Sequence, residues 1–337
     1  MVWLLPAMVV ILSSAIYFIF FPKTYSKYQE PVESKIEIRF PSQLDGLEID
    51  SEENQAPDVL GVMIDNHPDA YPQSGLNEAK IVYEAPAEGG ITRYLAIFDK
   101  NQTVEKVGPV RSARPYYLDW LNEYGDALYM HCGGSPAALN AIKQENIFDA
   151  NEFSHGQYYW RDNARSAPHN LYTDSEKWQK LFEDYSDGRP VKAWSGWKFD
   201  ENFVVVSSTP MKEIKIVYGL GYEVVWKYNT EGGYFERYVD GQPHLDNVGV
   251  IITTKNILVQ FTKTEILDEV GRREISTVDE GEGRVLFSGQ IMQARWKKEG
   301  ASERTIFFNE DKNEIKLKPG KTWVEIIPIG TKIEITN

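Results

Sequence analysis

The sequence predicts an α+β (or α/β) N-terminal domain followed by a mostly antiparallel all-β C-terminal domain, behind an N-terminal transmembrane helix. Three observations carry this. An uncharged apolar stretch opens the chain. Strand-length apolar runs then alternate with capped helical segments as far as residue 190. Beyond it, short runs recur between glycine turns with period-2 patterning.

Residues 2–22, VWLLPAMVVILSSAIYFIFFP, hold no charged side chain. At about 1.5 Å per residue, a helix of this length crosses a hydrocarbon layer of roughly 30 Å. A cleaved secretory signal is the other reading, but no small-residue cleavage site closes the run. A buried soluble helix would carry a polar face, and none exists. Residues 1–22 are therefore the expected anchor. Lys23 and Lys27 follow it and no Lys or Arg precedes it, so the positive-inside rule alone would keep the body in the cytoplasm. Residues 23–56 read as a tether: SQLDGLEIDSEENQAP is acidic, aperiodic and poor in aromatics. Within it IEIRF (36–40) is a candidate short strand.

The first domain is expected over 57–190. VLGVMI (59–64), IVYE (81–84) and ITRYLAIF (91–98) are strand-like, and TVEKVGPV (103–110) reads as the next strand, hairpinned onto 92–98. ALYM leads through HCGGS to a helix opened by Ser135 as N-cap and Pro136 at its first position. Thr173-Asp174-Ser175-Glu176 reads as a capping box ahead of KWQKLFEDY, which Gly188 and Pro190 stop.

The second domain is expected over 191–337, as a sandwich or barrel. YEVVWKY (222–228) puts Tyr222, Val224, Trp226 and Tyr228 on one face. YFERYV follows Gly232-Gly233, and Asp240-Gly241 marks a turn. VGVIITTKNILVQF, RVLFSG, RTIFF, NEIKLK and KTWVEIIP continue the pattern.

Composition narrows the function. With 337 residues, 42% hydrophobic and 13% aromatic, the chain can bury real cores. A formal net charge of −14 and the lack of a basic block argue against nucleic acid as a partner. The single cysteine, Cys132, closes no intrachain disulfide.

The chemistry-bearing residues cluster between 61 and 170. Arg93 lies in an apolar strand, where a bare charge is costly. Arg111 and Arg114 end the following run. Converging guanidiniums grip phosphate or carboxylate in a fork; alternatively these arginines pair with Glu84, Glu88 or Asp119. Glu84 and Glu88 also suit an acid–base pair for glycosides, though a glycine turn with arginine partners explains them better. Asp65 and His67, in DNHPD, offer oxygen and imidazole ligands or form an Asx-type turn. No His-Glu-x-x-His or paired Cys-x-x-Cys spacing exists, and no metal is expected. His131 and Ser135 flank a glycine-rich helix start that favours an anion. Cys132 beside it is a nucleophile or, more commonly, a buried thiol. Arg165, His169 and Asn170 lie on a loop entering a helix, with Trp160 and Tyr158–Tyr159 beside them for stacking or core packing. The expected ligand-binding set is thus Arg93, Arg111, Arg114, Arg165, His169, Asn170, Glu84, Glu88, Asp65, His67, His131 and Ser135, with no catalytic residue assigned and no cofactor.

The segments GVMIDNHPDAYPQSGL, VYEAPAEGGITRYLAIF, VGPVRSARPYYLDW, HCGGSP and RDNARSAPHNLYT, with a C-terminal region ending in LKPGKTWVEIIP, resemble the YerB-like family of bacterial envelope lipoproteins (domain of unknown function 3048). The resemblance implies a Gram-positive bacterium and a single-pass membrane protein with its body outside the cytoplasm. That family commonly carries a lipobox cysteine near its amino terminus, and none stands there in this chain. The run GGITRYLAIFDKNQTVEKVGPVRSAR followed by HCGGSPAALNAI is also similar in layout to LytR-CpsA-Psr phosphotransferases. That likeness implies a pyrophosphate held by Arg93, Arg111 and Arg114, with Mg²⁺ on Asp65 or Glu88. Three functions follow as expectations. The first is binding of an anionic envelope ligand, either peptidoglycan or a lipid-linked phosphate. The second is an enzyme transferring or hydrolysing such units. The third is a scaffold for cell-wall enzymes.

Overall fold

The computed structural model describes residues 39–186, 188–189, 192–204, 208–219 and 221–337. The expected anchor at 1–22 and the first part of the tether lie outside the described residues. Among the described residues no helix is long and apolar enough to cross a membrane. The end of the tether is structured: Phe40–Pro41 pairs with Glu48–Ile49.

The centre of the molecule is an eleven-stranded mixed sheet. Val59–Ile64 runs antiparallel to Thr92–Asp99 and parallel to Leu128–His131, and Ile81–Pro86 takes the other side of Thr92–Asp99. Val59–Ile64 and Ile81–Pro86 are buried at every residue, as strands covered on both faces must be. Their alternate side chains divide between two cores. Leu60, Val62 and Ile64 enter one; Val59 and Met63 enter the other, with Tyr117 and Trp120 of the helix Pro115–Leu121. Gly61 leaves room for that helix, since a Cβ there would stand 2.6 Å from Leu121 Cδ1.

The sheet takes strands from both sides of residue 190. Thr322–Pro328 lies parallel to Ile81–Pro86 and to Asn256–Thr262, after which Glu280–Phe287 and Gln290–Lys297 continue antiparallel. The expected antiparallel pairing of the second half therefore holds except where Thr322–Pro328 lies parallel to Asn256–Thr262; further strands form a separate smaller sheet. There Gln242–Pro243, Tyr234–Val239, Tyr222–Asn229, Glu213–Gly219 and Ile333–Thr336 follow in antiparallel order. Tyr222, Val224 and Trp226 form its buried face, with Tyr228 partly covered.

Three local expectations are corrected. Residues 103–110 form no strand on Thr92–Asp99, because both edges of that strand are already occupied. The segment instead threads past as bridges from Val110 to Ile64, Gly108 to Ser74 and Val107 to Thr173. Gly108 has φ +144°, and a Cβ there would meet Leu171 O at 2.7 Å; Pro109 has no N–H to give a ladder. The second correction concerns the cap of helix Ser175–Tyr185, which is Asp174, accepting from Lys177 N at 2.9 Å. Thr173 is taken up by pairing with Val107 and by donating to Tyr158 O. The third is NEIKLK, which makes only bridges, Glu314 to Phe308 and Leu317 to Phe199. The other helix start is as expected: Ser135 Oγ accepts from Ala138 N and Pro136 opens Pro136–Gln144.

Candidate functional site

The loop leaving Val59–Ile64 carries Asp65, Asn66 and His67. Asp65 N donates to Pro109 O and Arg111 N donates to Met63 O, both at 2.9 Å. This zips the 109–111 segment to the strand end and sets Arg111 beside Asp65. The Asp65 side chain is only 1% exposed. Its Oδ1 accepts from His67 N at 3.1 Å; its Oδ2 accepts from His169 Nδ1 at 2.7 Å and lies 2.9 Å from Arg111 Nε. One buried carboxylate thus holds a histidine and an arginine from separate segments.

His169 arrives on a loop that Arg165 ties down, donating to Ala70 O at 2.6 Å and to Pro72 O at 2.7 Å. The His67 ring stacks on His169, with centroids 4.6 Å apart. Because His169 Nδ1 is taken by the carboxylate, Nε2 is the ring nitrogen without that partner, as in sites where a buried acid fixes an imidazole. Arg111 is 25% exposed at its side chain and makes no side-chain hydrogen bond among the described residues. Its Nε meets Asp65 as an ion pair by distance.

The other arginines do not join this group. Arg114 forks Glu88, with Nη2 at 2.8 Å from Oε2 and Nε on Oε1. Arg93 lies 3.7 Å from Glu88 and donates to Ser112 O. Burial raises the Glu88 carboxyl, but Arg114 and Arg93 together outweigh it and hold it below its usual range. Burial, reinforced by Arg114, lowers Arg93. The arginines of the expected ligand-binding set therefore do not converge, nor does the three-arginine pyrophosphate clamp form: Arg93 and Arg114 serve Glu88, and Arg165 serves backbone carbonyls.

Glu84 is also removed from the ligand set, because it is wholly buried and internally paired. It accepts from Arg237 Nη2 at 2.6 Å, Thr92 Oγ1 at 2.6 Å, Tyr222 OH at 2.8 Å and Trp323 Nε1 at 3.1 Å. The bonds continue as a closed ring. Arg237 Nη1 donates to His244 Nδ1, so His244 Nε2 donates to Gln73 Oε1; Gln73 Nε2 donates to Asp65 O and Asn66 Oδ1; Asn66 Nδ2 donates to Thr92 and Tyr222. Burial, with Arg237 beside it, keeps the His244 pKa well below the ordinary imidazole range. Glu325, the sheet neighbour of Glu84, is raised to about 8 by burial and by the Glu84 charge. This centre joins the two sheets and backs the Asp65 loop. Sequence reasoning missed Arg237; the signal was a charge in the buried-face register of YFERYV, between Phe235 and Val239.

The remaining candidates are each bonded within the fold. His131 is buried, with Nδ1 on Gly133 O and Nε2 on Asp149. Ser135 caps its helix, and the amides of Gly133 and Ser135 are taken by Asn151 Oδ1 and Ala113 O. Asn170 accepts from Arg161 and donates within its own loop. Burial and then the Glu152 carboxylate raise the Cys132 thiol, opposite to the shift that favours a thiolate. Tyr158 and Tyr159 are buried and bonded to Asp184 and Ala150 O. A cavity of about 390 Å³ opens next to the Asp65 loop, lined by Asn66, Pro68, Tyr71, Gly90, Tyr222 and Gln242 among others.

Comparison with known proteins gives a consistent result. Residues 44–187 match the model "Protein of unknown function (DUF3048) N-terminal domain", and residues 214–324 match its C-terminal counterpart. The chain is 32% identical over 283 residues to the Bacillus subtilis (strain 168) protein named "Putative lipoprotein YerB", across 80% of this chain and 81% of that one. A crystal structure of YerB protein from Bacillus subtilis superposes with a TM-score of 0.75 at 30% identity, covering 88% of this chain and 99% of that one.

Proposed function

The chain belongs to the DUF3048 family, and we propose that it is a membrane-associated envelope protein that binds an oxyanion of an envelope molecule at Arg111 and His169. The name of the B. subtilis relative supports the location. One observation carries the ligand reading: the contacts of Asp65 fall on Arg111 Nε, at 2.9 Å, and on His169 Nδ1, at 2.7 Å. The outer ends of both side chains remain for a ligand. Two terminal guanidinium nitrogens suit a phosphate or carboxylate fork. His169 Nε2, the ring nitrogen not committed to Asp65, offers an acceptor for a hydroxyl of the same group. The occupant is a lipid-linked phosphate or a peptidoglycan carboxylate; both present the same oxygen pair.

Titration of the full chain with undecaprenyl phosphate in micelles, and separately with soluble muropeptides, tests this. Arg111→Ala is expected to weaken binding of one probe at least tenfold while the melting temperature stays within a few degrees. Unchanged binding in Arg111→Ala, or no binding of either probe, refutes it. A second reading has its own observation. The 2.7 Å bond from His169 to a buried carboxylate is how an imidazole is oriented as a general base. Turnover of a labelled lipid-linked precursor, abolished in His169→Ala, would make the protein an enzyme and not a binder.

A further inference from the structure

We propose that His67, Asp69 and His169 form a divalent transition-metal site, with Asp65 as the carboxylate that orients it. The ligand atoms these three residues offer all lie within 4.8 Å of one another. His67 Nδ1 and Asp69 Oδ2 are already 3.6 Å apart, against about 3.3 Å between ligands on a tetrahedral zinc with bonds of about 2.0–2.1 Å. His67 Nδ1 accepts the Asp69 amide at 3.2 Å, a long bond on an exposed turn that gives way when the same lone pair takes a metal. His169 is committed to Asp65 through Nδ1, which leaves Nε2 as its donor atom.

The surroundings favour a cation despite the neighbouring arginine. Asp65 stands behind His169 as the acid partner that metal-binding histidines usually keep, fixing the tautomer and raising ligand basicity. The same carboxylate takes up the Arg111 charge. His67 and Asp69 are 43% and 75% exposed and His169 is 12% exposed, so the exposed His67 ring, now stacked on His169 at an interplanar angle of 20°, can turn and the ligands close by up to about 1.5 Å to the tetrahedral spacing without disturbing the core. Two nitrogens and one oxygen suit zinc, cobalt or nickel better than magnesium or calcium. Three protein ligands on an open surface leave coordination positions for an outside group. This deepens the oxyanion reading and rests on it only for what fills those positions: a metal there would hold the same oxygens as Arg111.

The test uses metal alone. The full chain, stripped with chelator, is titrated with Zn²⁺ by calorimetry, and with Co²⁺ by visible absorption. One equivalent per chain is expected, with a cobalt d–d band of low-coordinate type. His67→Ala and His169→Ala should each lower affinity at least tenfold. Asp69→Asn, an exposed change that leaves the fold intact, should lower it severalfold. No stoichiometric binding, or equal binding in wild type and all three ligand variants, overturns the proposal and leaves the Arg111 reading standing. Zinc binding with no phosphate or muropeptide binding, in apo and loaded protein alike, sinks the oxyanion reading and leaves the metal site standing.

Discussion

Replacing Arg237 by Met removes the positive half of an ion pair whose two side chains are both 0% exposed. Glu84 would keep three neutral donors, from Thr92, Tyr222 and Trp323, but lose its only charged partner in the ring. His244 Nδ1 would lose its donor as well. Breaking a buried pair from one side destabilises by about 3–5 kcal/mol, because a desolvated charge is left uncompensated. Glu84→Gln should produce a loss of the same order, since it strands the guanidinium. The double variant Glu84→Gln/Arg237→Met should then be more stable than the sum of the two losses implies, by about 1–3 kcal/mol. Urea titration followed by tryptophan fluorescence reads this well, because Trp226 and Trp323 pack against the guanidinium at 5.7 and 4.9 Å. Single-variant losses below about 1 kcal/mol, the scale of a surface pair, or strict additivity in the double, would refute the account of a sealed polar centre.

Glu325 should tilt the pH dependence of stability. Its unfolded carboxyl releases its proton near 4.5 while the folded one keeps it to about 8, so the folded state binds the extra proton across that window and stability falls as pH rises through it. Glu325→Gln should flatten that slope in urea titrations at pH 5 to 8; an unchanged slope contradicts the assignment. Cys132 should react slowly with an aromatic disulfide reagent at pH 7, and Glu152→Gln should speed it, because burial and Glu152 both hold the thiol protonated. Equal rates would contradict this. Gly61→Ala should lower stability by about 1–3 kcal/mol by overpacking against Leu121 and Leu95, and thermal melts showing no loss would contradict it.

Elements that announce themselves by local pattern were readable from sequence. Val59–Ile64 and Tyr222–Asn229 follow from apolar runs and period 2, and Ser135 from its cap chemistry. What failed needed knowledge of pairing. Residues 103–110 look like a strand, but whether an edge is free depends on Ile81–Pro86 having taken it. The arginine cluster failed for a related reason. In the ladder Glu84 sits opposite Tyr94, and Ala85 opposite Arg93, so Glu84 and Arg93 point to opposite faces of the sheet and do not meet. Glu84 finds Arg237 instead, 153 residues away, and no local window contains that contact. Asp65, His67, Arg111 and His169 were singled out by composition, yet that Asp65 would gather the other three was invisible, because the gathering depends on 109–111 zipping to a strand end.

Asp65 holds His169 through Nδ1 and leaves Nε2 as the nitrogen for a ligand. Long-range proton–nitrogen correlation on protein labelled with ¹⁵N-histidine, near pH 8.5 where an ordinary imidazole is neutral, reads the tautomer directly. The account predicts a fixed Nδ1–H form for His169, reverting to the mixture of a free imidazole in Asp65→Asn. An Nε2–H form, or a spectrum indifferent to Asp65→Asn, would contradict it.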